Sequence, residues 1–395
     1  MSVIRERRFE RRRTLDWPLA LAATAVAAIT AAVAARAGEL GSDIGLGASR
    51  IEDARRQQAR EAAANPASSL AARPAERYAA QSGEGGVSAA AVAAVPGVAL
   101  AASGEAGAPG GQASGPALPA QAWALGFVYG THTGADVRGG ALTTRGGGVS
   151  VGVDRFFDPR FLAGVALTVS RASTIGIGVR TDTDAVSGAV YASWAPFGGF
   201  ELDGQLGLNW AGVETSRALI LNGIAVPTQG SADGLGFTAL ASVGHRFRVP
   251  TASGEAYLKP FVAGAYVSQE RGAYTEFGAT TPGLAFPAKT FERASLSLGV
   301  AAGVDLAAGD GWTLRPELRL AWARYLTDPS PPVEAFFLGA PTVLRDPDPG
   351  RNAAVVGIEL TAWRTAGAQV FGGYVGEFRD NATAHQGRVG LRLTW

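Results

Sequence analysis

At 395 residues the chain has room for one large domain or two ordinary ones. Its 54 Gly, 21 Pro and only 17% charged residues, with a mean hydropathy of +0.11 reached without a long Leu, Ile or Phe run, spread the apolar residues thinly, as an alternating pattern does. The absence of Cys excludes disulfides, thiolate chemistry and zinc-thiolate sites, and a net charge of +1 argues against a nucleic-acid partner, which needs a concentrated basic face.

Residues 5–13 are strongly basic, an apolar run extends from Trp17 to Ala35, and Ala35, Arg36 and Ala37 follow. These are the n-region, h-region and small-x-small site of a secretory signal peptide, 1–37, cleaved after Ala37. A membrane-spanning anchor is the alternative, since about 20 apolar residues cross a bilayer, but this run is mostly Ala and only weakly hydrophobic. Residues 38–120 read as a low-complexity linker or short passenger. They are rich in Ala, Gly, Ser and Pro, which bury too little side chain to offset their ordering entropy. Within them, 51–64 has good helix formers, with Ser49 as a cap and Asn65 and Pro66 as a stop, but almost no apolar stripe. The Ala-rich stretch 87–95 becomes helical only if something encloses it.

From Gln121 to the end, residues 121–395, the texture changes. Trp123, Leu125, Phe127 and Tyr129 open a strand-period alternation that recurs, interrupted by turns. Leu202, Leu206, Leu208 and Trp210 alternate with Glu201, Asp203, Gln205 and Asn209; Trp312, Leu314, Leu318, Leu320 and Trp322 alternate with Thr313, Arg315, Glu317 and Arg319. Aromatic residues at both ends of an apolar face suit the two interfaces of a membrane. About twelve such strands begin near Trp123, Gly147, Phe161, Thr183, Phe200, Leu235, Ala256, Ala294, Trp312, Ala354, Ala368 and Gly387. Connections after the second, fourth, eighth and tenth are tight, whereas those after the fifth, seventh and ninth are long and Pro-containing, which sorts turns to one rim and loops to the other. The chain ends on Val389, Leu391, Leu393 and Trp395 alternating with Arg388, Gly390, Arg392 and Thr394, with no tail beyond the final aromatic.

The opening Ala122, Trp123 and Ala124, the Gly-rich second strand 146–153, the 335–341 segment with Asp348 to Arg351 after it, and the closing Trp395 together resemble the translocator domain of an autotransporter, a type V secretion protein. The resemblance implies an all-β fold, a single-chain transmembrane antiparallel β-barrel of about 12 strands in a bacterial outer membrane, behind a largely disordered, partly helical N-terminal region. It implies an N-terminal passenger segment, periplasmic or surface-exposed, that the barrel helps to export or anchor, and a helix before the first strand lodged in the pore. Its partners would be outer-membrane lipid, the barrel-assembly machinery and periplasmic chaperones, with the barrel monomeric. Val389, Leu391, Leu393 and Trp395 would be the barrel-assembly signal. The chain departs from the family in lacking a long passenger of β-helix repeats and any Asn between Asn65 and Asn209, so the paired-Asn cleavage junction of some members is missing.

By the alternation, the pore-lining charges are Glu201, Asp203, Arg246, Lys259, Arg293, Arg315, Glu317, Arg319, Glu359, Arg388 and Arg392. Such a mixed-sign lining either lets a chain pass or merely pairs with itself across a filled interior. The only imidazoles are His132, His245 and His385, with no H-E-x-x-H or G-x-S-x-G around them, and Gly146 to Gly148 are not followed by Lys-Ser or Lys-Thr. No catalytic residue, cofactor or metal is expected. An orphan barrel acting as a pore or structural protein is the alternative, and a barrel-type surface hydrolase a more distant one.

Overall fold

The computed structural model describes residues 120–395 other than 222–223, 252–253, 279–281, 309–310 and 365–366. The expected signal peptide, the expected 51–64 helix and the rest of the segment up to 119 lie outside the described residues. Among the described residues every regular element is a strand; of eighteen strand segments, sixteen merge into twelve staves and two form a hairpin beyond them. The first four are Ala120–Thr133, Leu142–Asp158, Phe161–Gly176 and Val179–Trp194. The fifth is Phe200–Leu221, and the sixth, Ile224–His245, resumes after Arg246 as Phe247–Thr251. The seventh, Gly254–Arg271, is prolonged by Tyr274–Gly278; the eighth, Lys289–Val304, is preceded by Pro282–Phe286 and trailed by Leu306–Ala307. Trp312–Tyr325, Asn352–Arg364, Ala368–Arg379 and Ala382–Thr394 complete the set.

Each stave pairs antiparallel with the next, and the first pairs with the twelfth from Gln121 opposite Thr394 to Thr133 opposite Ala382. Backbone bonds of 3.1 Å from Ala120 to Trp395 and 3.0 Å back finish the seam. Closure matters because an open edge in lipid leaves unsatisfied N–H and C=O groups, each costing several kcal/mol.

Alternation sorts the two faces. On the fifth strand Leu206, Leu208 and Trp210 are exposed, Leu208 at 70%, while Gln205 just before them is 7% exposed and points inward. The aromatic pairs Phe200 with Trp210 and Trp312 with Trp322 bracket this outer apolar face. Ten residues at about 3.4 Å each, tilted by about 40°, give about 26 Å of height, the apolar band of a transmembrane barrel.

The first strand inverts the rule. Trp123, Leu125, Phe127 and Tyr129 are all buried, and Trp123 stands opposite Arg392 and Phe127 opposite Arg388, on the inner face. The second strand supplies the reason. Gly152, Gly148 and Gly146 stand opposite Trp123, Phe127 and Tyr129, and a Cβ at any of them would collide with the facing ring. The Gly-rich run is therefore a seat for inward aromatics. With Leu162, Ala172, Tyr191 and Phe371 these side chains form an apolar cluster inside the barrel.

Ala120, Trp395 and the tight even-numbered turns share one rim, the periplasmic one by the barrel rule. On the other rim the connections expected as long loops after the fifth and seventh strands are largely strand instead: Leu221 is already opposite Ile224, and Pro282 opposite Phe277. Backbone hydrogen bonding is better satisfied by prolonging a ladder than by an irregular loop. After the ninth strand a hairpin, Val333–Phe337 with Ala340–Leu344, turns through Leu338 and Gly339 at φ 50° and 82°. It pairs with Leu284 and Ala285, so the tip of the sixth strand, Tyr274–Gly278, Pro282–Phe286 and the hairpin make one sheet above the band. Its inner side carries a core of Leu284, Phe286, Val333, Ala335 and Leu344. Beside that core Arg217 pairs with Glu276 at 3.1 Å, both side chains fully buried, and Thr228 Oγ1 donates to the same carboxylate at 3.0 Å.

Candidate functional site: the barrel interior

Strand phase places most of the charged side chains together on the inner wall, with Arg246 and Asp305 added from short breaks between strand segments. Glu201 on the fifth strand accepts from Arg246 Nε at 2.7 Å, in the break of the sixth strand, and from Lys259 Nζ at 2.6 Å, on the seventh. The Arg246 guanidinium lies 4.4 Å over the Tyr257 ring, and the Tyr257 hydroxyl donates to Glu317, which also takes Arg319 at 3.3 Å. Arg315 holds Asp305 with two bonds, 2.5 and 2.8 Å, and stacks 4.9 Å over Trp363. Arg388 reaches across the eleventh strand to Glu359, passing Gly373, where its Nε would lie 3.3 Å from an added Cβ. Asp203 accepts from Ser193 at 2.7 Å and Ser242 at 3.0 Å. Arg293 sits 5.4 Å over Tyr325, and Arg392 is buried, its charge acting on Asp154.

All eleven sequence-predicted charges thus lie on the inward side, but they form several separate groups. Partners come from the same strand or from strands one or two apart, so the pairs run along the wall. Charge-assisted bonds of this kind keep buried ions from being stranded without compensation.

Sequence reasoning missed Asp154, Tyr191, Asp305, Tyr325, Glu377 and Arg379. Trp123 Nε1 donates to the Tyr191 hydroxyl, which donates to Asp154, each at 2.7 Å. Tyr325 donates to Glu377 at 2.9 Å under Arg379, whose guanidinium is 3.8 Å from the ring. Counting by two from Gly146 and from Phe371 reaches Asp154, Glu377 and Arg379, so the phase was available. Asp305 sits in a break between strand segments, where no phase applies.

The wall is divided. The second, third and fourth strands present chiefly hydroxyls, glycines and alanines inward, with Thr144 bonded to Thr174 at 2.8 Å, Ser150 to Thr168 at 2.8 Å and Thr181 to Thr215 at 3.4 Å. A recess between Ser150, Thr168, Ser187, Gln205 and Thr238 lies in this sector and is lined by no charged side chain. Among the described residues no group of three or more His, Asp or Glu could hold a metal ion. His132 bonds to Thr143 at 3.1 Å and His385 to Tyr374 at 2.6 Å, while His245 packs between Phe200 and Phe247.

On the surface rim, Arg138 pairs with Asp348 at 3.1 Å, and the Asp348 N–H donates to Asp136 at 2.8 Å. Asn381 Nδ2 donates to the carbonyls of Gly134 and Asp348 at 2.9 and 3.2 Å. The connections after the first, ninth and eleventh strands are thereby tied across the barrel seam. Partial burial would raise the Asp136 carboxyl, but N–H groups of Asp348, Arg138 and Gly139 and the charge of Arg138 outweigh it and hold the group below the usual carboxylate range.

The family profile described as "Autotransporter beta-domain" matches residues 122–375. No curated protein matches the chain. Among solved structures, the translocator domain of autotransporter NalP from Neisseria meningitidis is similar at 19% identity and a TM-score of 0.56, covering 78% of this chain and 97% of that one. The β-domain of the Bordetella autotransporter BrkA matches at 18% identity and 0.54, covering 69% and 98%. The transport unit of AIDA-I from Escherichia coli matches at 16% and 0.56, covering 69% and 90%. At these identities the likeness is one of fold.

Proposed function

Since this chain belongs to the autotransporter family through its β-domain and is an outer-membrane translocator barrel, we propose that its cargo is its own segment 38–120, exported or anchored at the cell surface. The observation that carries this is the place of Ala120, which is tied to Trp395 on the rim of tight turns. Ala120 therefore opens the first strand at a mouth of the bore, and among the described residues the self-paired wall holds no concentrated charge of one sign to arrest a passing chain. An Ala, Gly and Pro chain is suited to such passage because it has no core to unfold first.

In this account residues 1–37 are a signal peptide. Val389, Leu391, Leu393 and Trp395 are read by the barrel-assembly machinery, periplasmic chaperones keep the chain competent, and the barrel is not an enzyme. The eleven inner charges line the path. The pairing along the wall also supports a second reading, an orphan barrel serving as a pore or structural protein. An epitope tag inserted near Ser68 separates them: labelling of intact cells is expected for export, and labelling only after the outer membrane is permeabilised would refute it.

A further inference from the structure

The surface sheet has a second face. Its inner side is the Leu284 and Phe286 core, so the alternate residues point outward, away from the bore. There Phe277 is 69% exposed, Leu338 72%, Val343 52% and Phe336 37%. Register makes them neighbours: Phe336 stands opposite both Ala285 and Pro341, Ala285 opposite Thr275, and Val343 opposite Glu334. Tyr266 marks the outer edge of the apolar band on the seventh strand, and Phe277 lies eleven residues beyond it, about 28 Å higher at the same rise and tilt. Lipid tails do not reach this patch. An apolar patch standing in water marks an interaction surface.

Its occupant follows from chain length. The fifth strand has 22 residues, about 75 Å along its axis and about 57 Å of height when tilted by about 40°. An extended chain at about 3.3 Å per residue crosses that height in about 17 residues, so the stretch from 119 back to about 103 fills the bore. Residues 87–100 are then the first to clear the surface mouth. They lie within an uncharged stretch running from Gly85 to Gly104, bounded by Glu84 and Glu105, and they carry Val87, Val92, Val95, Val98 and Leu100. We infer that residues 87–100, once exported, dock on the outward face of the surface sheet at Phe277, Phe336, Leu338 and Val343. This rests on the export reading above. The segment would emerge beside the sheet, pass over the Leu338 and Gly339 turn, and gain the enclosure that an Ala-rich stretch lacks alone. Docking at this point would hold the threaded chain against backsliding without any covalent tether.

The chain has no Cys, so introduced thiols report cleanly. Full-length protein carrying Ala94→Cys with Phe336→Cys, or with Val343→Cys, is oxidised on intact cells. A third pair joins Ala94→Cys to Val137→Cys, which is fully exposed on the same rim but off the sheet. Docking predicts an intramolecular disulfide in both patch pairs, several-fold above the Val137 pair, and a several-fold loss of crosslinking to Val343→Cys when Phe277→Ser and Phe336→Ser are added. Labelling of Ala94→Cys alone by a membrane-impermeant maleimide reads export separately. If Ala94→Cys labels on intact cells but crosslinks no better to the patch than to Val137→Cys, docking is overturned and export stands. A disulfide between two chains would assign the patch to a second copy and also overturn it. Failure to label at all removes the export premise and the docking with it.

Discussion

The indole of Trp123 occupies the space over Gly152 where a Cβ would stand, and the two residues face each other across the first and second strands. This contact turns the first strand's aromatic face inward while every neighbouring strand turns its apolar face to lipid. The inward rings in turn build the only apolar cluster on the described inner wall that borders the seam, so the position is predicted to be sensitive.

Gly152→Val should destabilise the barrel by about 1–3 kcal/mol through overpacking against the indole. Denaturant unfolding of the refolded protein in detergent measures this, and Trp123→Ala in the same chain should recover part of the loss. Unchanged stability in Gly152→Val would mean that Trp123 does not occupy this seat.

Glu201 neutralises two buried cations, Arg246 at 4% and Lys259 at 7% side-chain exposure. Glu201→Ala strands both, and breaking a buried pair by removing one partner costs about 3–5 kcal/mol. The double change Glu201→Ala with Lys259→Met should cost less than Glu201→Ala alone. An additive result in unfolding experiments would show that the pair carries no coupling.

Trp395 donates its N–H to Ala120 and accepts one in return, and its side chain is 70% exposed on the outer face. Removing it should leave the protein in the periplasm, with the outer-membrane fraction falling sharply while synthesis is unchanged. Normal outer-membrane levels would place the assembly signal elsewhere.

Because the folded-state carboxyl of Asp136 is held low, its contribution to the rim contacts is present above the usual carboxylate pKa of about 3.9 and is lost as pH falls through the lower folded value. Proteolysis of the 134–141 connection should therefore rise at acid pH. Asp136→Asn should show raised cleavage at neutral pH and little further change on acidification. An identical pH profile in both proteins would contradict the account.

The all-β character and the strand number were legible because a half-buried strand has a period of two and leaves that period in the sequence. Phase does not say which side is lipid. For the first strand the deciding fact is the glycine run on its neighbour, visible as Gly146, Gly147 and Gly148 but interpretable only with register. The projecting hairpins were read as loops because Pro227 and Pro282 punctuate them, and Pro is tolerated at ladder ends and edges. The surface sheet, joining residues as distant as Gln229 and Val343, depends on long-range pairing that no local pattern records.

The central claim is that the segment before Ala120 threads this bore. Ser187 lines the recess on the inner wall, while Leu208 on the neighbouring strand faces lipid. Full-length protein with Ser114→Cys and Ser187→Cys should form an intramolecular disulfide in intact outer membranes, and Ser114→Cys with Leu208→Cys should not. Crosslinking to neither position, in protein shown to be assembled, would contradict threading and leave the barrel without its proposed cargo.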